Sequence, residues 1–177
     1  MATTYERMRY TLGRVSSRKT PASRSQIAKA IRSRRPKEMK VRGDGSADEH
    51  YMSEGSISNL LTLMAKHDLL VIRDDGKVSV SGEGQRAAAD PDVFDLVMQS
   101  SIKTKLADSN VPLEAIDEEI RAITLPLAPD AETIYDRLAN RNPAPTITLG
   151  EFRRLLFLFA CANGIRRYVR VHYHSGD

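Results

Sequence analysis

The chain has no tryptophan and a single cysteine among its 177 residues. Aromatic packing therefore rests on six Tyr and four Phe. The lone Cys161 cannot close an intramolecular disulfide, which suits a reducing compartment, and one thiol does not make a zinc site. No apolar run approaches the roughly 20 residues that a membrane-spanning helix needs. The arginine-rich opening is followed by no apolar h-region, so a secretory signal is not expected and a cytoplasmic, nucleoid-associated setting is. The segment GDGSAD lacks both the Lys and the following helix of a phosphate loop. Neither G-x-S-x-G nor H-E-x-x-H occurs, and no nucleophile has a base beside it in sequence. No catalytic residue and no cofactor is expected.

Metal ligation has little to draw on. His172 and His174 share one strand face in the sequence pattern, but no acid or Cys stands near them at ligand spacing. Asp117, Glu118 and Glu119 are consecutive and point in different directions round a helix, which makes them a solvated face rather than a cation site. No metal is expected.

Acidic residues are scarce at one end. Residues 1–42 hold thirteen Lys or Arg and two acids, Glu6 and Glu38, a net of +11 that leaves −7 for the rest of a chain whose total is +4. A basic end joined to a mildly acidic body is the footprint of a polyanion binder. A solvated tail is the plainer explanation, but Ile27, Ala28 and Ile31 give this stretch a helical apolar face.

What the chain does have is a repeat. SEGSISNLLTLMAKHDLL at 53–70 and TLGEFRRLLFLFACANGI at 148–165 align without a gap at an offset of 95 residues. Gly55/Gly150, Leu60/Leu155, Leu61/Leu156, Leu63/Leu158 and Ala65/Ala160 are identical, and Ile57/Phe152, Met64/Phe159 and Leu70/Ile165 are similar.

Each copy sits in a comparable order of elements. Residues 4–15 place Tyr5, Met8 and Leu12 at helical spacing. Ser16 to Ala22 is polar and reads as a loop. Ser23 with Gln26 forms a capping box for a second helix, and Ser53 to His67 forms a third. Residues 32–52 between them are long, polar and Gly-rich. LLVIRDDGKVSV then places two short apolar strands about Asp75-Gly76, the strongest hairpin signal in the chain. Ser81 opens a fourth helix. Asp90-Pro91 opens another, running to about Ala107 and taken as a connector. Further helices are expected over 113–123, 130–140 and from Thr148, whose capping box uses Glu151. Residues 166–174 alternate with period two, as a strand does.

The stretch ISNLLTLMAKHDLLVIRDDGKVSVSGEGQRA, and with it residues 4–89, resembles the recognition helix, wing and following helix of winged helix-turn-helix proteins. The long 32–52 segment departs from that family, which usually has a tight turn there. The resemblance implies a mainly α fold with small β wings (α+β), arranged as a tandem winged helix-turn-helix. Its parts are a first unit at 1–89, a connector at 90–107 and a divergent second unit at 108–177 with a reduced wing.

The two copies divide their expected roles by side-chain chemistry. On the third helix Ser56, Ser58, Asn59, Thr62 and Lys66 lie away from the apolar stripe, suited to a major-groove floor and its phosphates. Arg24, Lys29, Arg32, Arg34 and Arg35 would meet the backbone, and Lys77 at the hairpin tip would reach an adjacent groove or phosphate. Double-stranded DNA is the expected partner, with transcription regulation or DNA handling as the expected role. In the second copy seven successive residues, Leu155 to Cys161, are apolar. Each buried Leu or Phe is worth roughly 1.5–3 kcal/mol, so Phe152, Phe157 and Phe159 are expected to cover a dimer or partner surface. A homodimer would present two first units to a pseudo-palindromic site. The same apolar helix also supports a different reading, a protein-interaction subunit whose repeats grip a partner.

Overall fold

Thr3 accepts a hydrogen bond from Glu6 N–H at 3.2 Å and its own N–H donates to the Glu6 carboxylate at 2.7 Å. That capping box starts α1 (Thr4–Ser16), in a computed structural model that describes residues 3–33, 52–116 and 131–164. The chain divides into two compact units, Met1–Phe94 and Asp95–Asp177. Among the described residues the fold is mainly helical with one small three-stranded antiparallel sheet.

In the first unit α1 turns Tyr5, Met8, Leu12 and Val15 inward, the i, i+3, i+7, i+10 stripe of an amphipathic helix. Ala22–Ser23 is not plain loop. It forms a two-residue strand, β1, paired with a later strand through Ala22↔Val78 and Ser23↔Lys77. Ser23 then caps α2 (Arg24–Ser33): its hydroxyl accepts from Gln26 N–H and its N–H donates to the Gln26 side chain at 2.9 Å. Ile27, Ala28 and Ile31 are buried. Helix α3 (Glu54–Lys66) is capped by Ser53, and Ile57, Leu60, Leu61 and Met64 form its buried face.

Strands β2 (Leu70–Ile72) and β3 (Lys77–Val80) pair antiparallel, with Leu70 opposite Val80 and Ile72 opposite Val78. The sheet order is β1-β3-β2. The hairpin between β2 and β3 is longer than a two-residue Asp-Gly turn. Gly76, at φ +75°, donates its N–H to Arg73 O at 2.9 Å, and Arg73 N–H donates to Lys77 O at 2.9 Å. A turn followed by a left-handed residue is the usual three-residue hairpin loop, and Gly supplies that conformation without steric cost. Ser81 caps α4 (Gly82–Ala89), and its hydroxyl also bonds Asp68 O. The backbone of α4 passes so close to the start of β2 that a Cβ on Gly84 would stand 1.9 Å from Leu69 O. Phe94 completes this core, its ring edge-on to Tyr5 with centroids 5.1 Å apart.

Helix α5 (Pro91–Asp108) begins in the first unit and continues in the second, so the division falls inside the segment expected to be a separate connector. Met98, Ile102 and Leu106, at spacing four, are fully buried. Asn110, at φ 59°, ends the helix, and Val111 N–H donates back to Leu106 O at 2.8 Å. Residues 113–116 are helical. Helix α6 (Ala131–Ala139) buries Ala131, Ile134 and Leu138, and packs on α7 (Leu149–Ala162). Tyr135 of α6 lies 5.5 Å from the Phe152 ring and donates its hydroxyl to Ile147 O at 2.8 Å. From α5, Gln99 reaches the end of α7 and donates to Ala162 O at 2.7 Å. The capping box of Thr148 and Glu151 is present at the start of α7. The expected strand at 166–174, the rest of the 113–123 helix, Asp117, Glu118, Glu119, His172 and His174 lie outside the described residues. No described helix is long and apolar enough to cross a membrane.

Candidate nucleic-acid interface

Most of the candidate residues expected from sequence cluster at α2, α3 and the hairpin of the first unit. On α3 the buried stripe fixes which side chains face outward. Gly55, Asn59 and Lys66 are exposed opposite Ile57 and Leu61, with Thr62 half-buried beside them. Ser58 is half-buried on one flank and Ser56 is exposed on the other. Thr62 Oγ1 donates to Ser58 O at 3.1 Å, back along its own helix. Ser56 sits in the first turn, its hydroxyl 2.8 Å from that of Ser53.

Sequence spacing does not anticipate one contact that joins two of these elements. Arg24 Nη1 donates to Ser58 Oγ at 3.0 Å, linking the first residue of α2 to the second turn of α3. A guanidinium carries five N–H donors, and this bond uses one. The side chain is thereby held between the positive end of α2 and the polar face of α3. Lys29 is exposed further along α2. Arg32 belongs to the last turn of α2, while Arg34 and Arg35 lie outside the described residues.

The hairpin tip is less cationic than Lys77 alone suggests. Lys77 Nζ lies 2.8 Å from Asp75 Oδ2, and Asp75 Oδ1 accepts from Lys77 N–H at 3.0 Å. Those two hydrogen bonds, first the side-chain one, hold the Asp75 carboxyl below its ordinary value. Arg73, exposed at the base of the turn, is a further cation that was not among the residues expected from the sequence. The signal was its place next to the Asp-Gly turn. Arg73, Asp74, Asp75 and Lys77 together carry no net charge, so the tip offers shape and hydrogen bonds more than a positive field.

The second copy differs. Phe152 is fully buried and Phe159 is 7% exposed, so both rings pack in the core of their own unit instead of lying on its surface as expected. Phe157 alone of the three is half-buried. Arg153, exposed at the start of α7, is bonded to Glu132 of α6 at 2.8 Å, and Arg154 is exposed beside it. Among the described residues no group of three or more His, Cys, Asp or Glu side chains is placed to hold a metal ion.

Compared with protein-family models, curated proteins and solved structures, the chain matches none.

Proposed function

We propose that the first unit is a winged helix-turn-helix module that binds duplex DNA, with α3 entering the major groove and the β2–β3 hairpin lying alongside as the wing. One observation carries the reading: the outward face of α3 is polar and open at Ser56, Asn59 and Lys66, and Arg24 is bonded to that same helix. The element order helix, strand, helix, helix, hairpin, helix supports it, as does the +11 charge of residues 1–42. Short amide and hydroxyl side chains read base edges, and flanking cations take phosphates. The second unit, which repeats α3 as α7, is a second copy given over to packing. The role that follows is transcription regulation or another DNA-handling task.

The test is a gel shift of the purified protein on random duplex and single-stranded DNA at two salt concentrations. Duplex binding that weakens steeply with salt is expected. Lys66→Ala should weaken binding about equally on all sequences and lower the salt slope by about 1, whereas Asn59→Ala should change preference among sequences. Absence of duplex binding at low salt ends the proposal.

A further inference from the structure

A cleft of about 150 Å³ lies between the end of α1 and α2, lined by Arg14, Ser17, Arg18, Ile27, Ala30 and Ile31. Its chemistry is two-sided. Ile27 and Ile31 belong to the buried core and give it an apolar floor, with Ala30 half-buried beside them. Arg14, in the last turn of α1, and Ser17 and Arg18, just past its end, supply the polar part of the lining.

Arginines at a helix end often serve only to satisfy its last carbonyls. Here that work is done by other groups. Gly13 O accepts from Ser16 Oγ and Ser17 N–H, Arg14 O accepts from Ser17 Oγ, and Val15 O accepts from Arg18 N–H. Arg14 lies instead over the Tyr10 ring, 5.1 Å from its centroid. Among the described residues neither Arg14 nor Arg18 has an acidic partner. Among the described residues, two cations beside an apolar floor are thus left without an anion.

Size narrows the ligand. Drug-sized pockets run from roughly 300 Å³ upward, whereas an apolar cavity of roughly 150 Å³ takes a six-carbon ring. A guanidinium fork matches a planar carboxylate in two parallel hydrogen bonds. We propose that this cleft binds a small monocarboxylate with a hydrocarbon body of about six carbons, the carboxylate on Arg14 and Arg18 and the chain on Ile27, Ala30 and Ile31. The proposal does not depend on DNA binding, since α3 and the hairpin contribute nothing to the cleft.

Calorimetric titration of the full chain with hexanoate, hexan-1-ol, acetate and inorganic phosphate tests it. Hexanoate should bind at one saturable site with Kd of roughly a millimolar or below, as expected of so few ligand atoms. Hexan-1-ol, acetate and phosphate should each bind at least about tenfold more weakly, because each lacks one half of the recognition. Arg14→Gln with Arg18→Gln should lose at least about tenfold in hexanoate affinity at an unchanged melting temperature. Ala30→Leu, which fills the cleft and keeps both charges, should lose as much, and it decides the matter should the double variant unfold. Equal binding of hexan-1-ol or of phosphate overturns the proposal. So does no binding of hexanoate, or full hexanoate binding by Ala30→Leu.

Discussion

Helices α3 and α7 start in register and are then used differently. Ser53 and Thr148 are both extended N-caps, at φ −65° and −73°. Ile57/Phe152, Leu60/Leu155, Leu61/Leu156 and Met64/Phe159 are buried in both helices. The divergence lies on the flanks of that stripe. Leu63 and Ala65 are half-buried where Leu158 and Ala160 are 1% and 2% exposed, and Lys66 is exposed where Cys161 is half-buried. One helix keeps a broad polar arc in water. The other is exposed only near its start, at Gly150, Glu151, Arg153 and Arg154, with Leu149, Phe157 and Cys161 half-buried. A repeated sequence thus preserves a packing face while the opposite face is free to change its chemistry.

The largest expected effect tests whether that burial is real. Phe152→Ala removes a ring that is fully buried and in contact with Tyr135, and should cost about 3–5 kcal/mol in denaturant unfolding. Ile57→Ala, the matching change in α3, should cost about 2–5 kcal/mol. The comparison breaks if Phe152→Ala leaves stability intact and instead dissociates an oligomer, because the ring would then belong to an interface.

A smaller effect separates the exits of the two helices. The chain leaving α3 runs into β2 beneath α4, where Leu69 O faces Gly84. Gly84→Ala places a methyl group against that backbone oxygen, and both partners are main chain, so neither yields cheaply. A loss of about 1–3 kcal/mol is expected, as for overpacking elsewhere. No such clamp follows α7 among the described residues, where Gly164, at φ +65°, has open space around it. Gly84→Ala measured at wild-type stability would show that α4 can slide away from β2.

How much of this difference the sequence reveals depends on the range of the interaction. The caps at Ser23, Ser53, Ser81 and Thr148 and the Thr148–Glu151 box are legible because each partner lies within three residues. The buried stripe of α3 is legible from its period. Strand β1 is not, because Ala22 and Ser23 carry no pattern of their own and become a strand only by pairing with Lys77 and Val78. The run Leu155–Cys161 misleads for a related reason. Apolar residues all round a helix announce burial but do not say what covers them, and Tyr135 and Gln99, which reach α7 from α6 and α5, are distant in sequence. The Arg24–Ser58 bond of the candidate site was hidden in the same way.

The two caps give a finer contrast. Thr148→Ala removes the acceptor for Glu151 N–H and the charge-assisted bond from the Thr148 hydroxyl to the Glu151 carboxylate at 3.1 Å, leaving the backbone half of the box. Ser53→Ala removes the acceptor for Ser56 N–H and a neutral hydroxyl–hydroxyl bond at 2.8 Å, since Ser56 stands where Glu151 stands in the other copy. Each should cost about 0.5–2 kcal/mol, with Thr148→Ala the more costly of the pair in thermal unfolding. The reverse order would mean that α3 depends on its first turn more than α7 does.

The smallest effect concerns the β2–β3 hairpin. Asp75 is held below the ordinary carboxylate value, near 3.9, by its hydrogen bonds to Lys77, and the pair is solvent-exposed. A carboxyl with a depressed folded pKa adds stability that is fully present above its unfolded value. That stability is lost as pH falls through the lower folded value. The hairpin should therefore keep its hydrogen-exchange protection at Gly76 and Lys77 from neutral pH down to about pH 4, and lose part of it only below. Asp75→Asn should remove that acid dependence and change global stability less than any substitution above. It also frees Lys77 for a phosphate. If the hairpin meets duplex DNA, Asp75→Asn should tighten binding and steepen its salt dependence; unchanged binding would leave α3 and α2 as the contact surface and take the hairpin out of it.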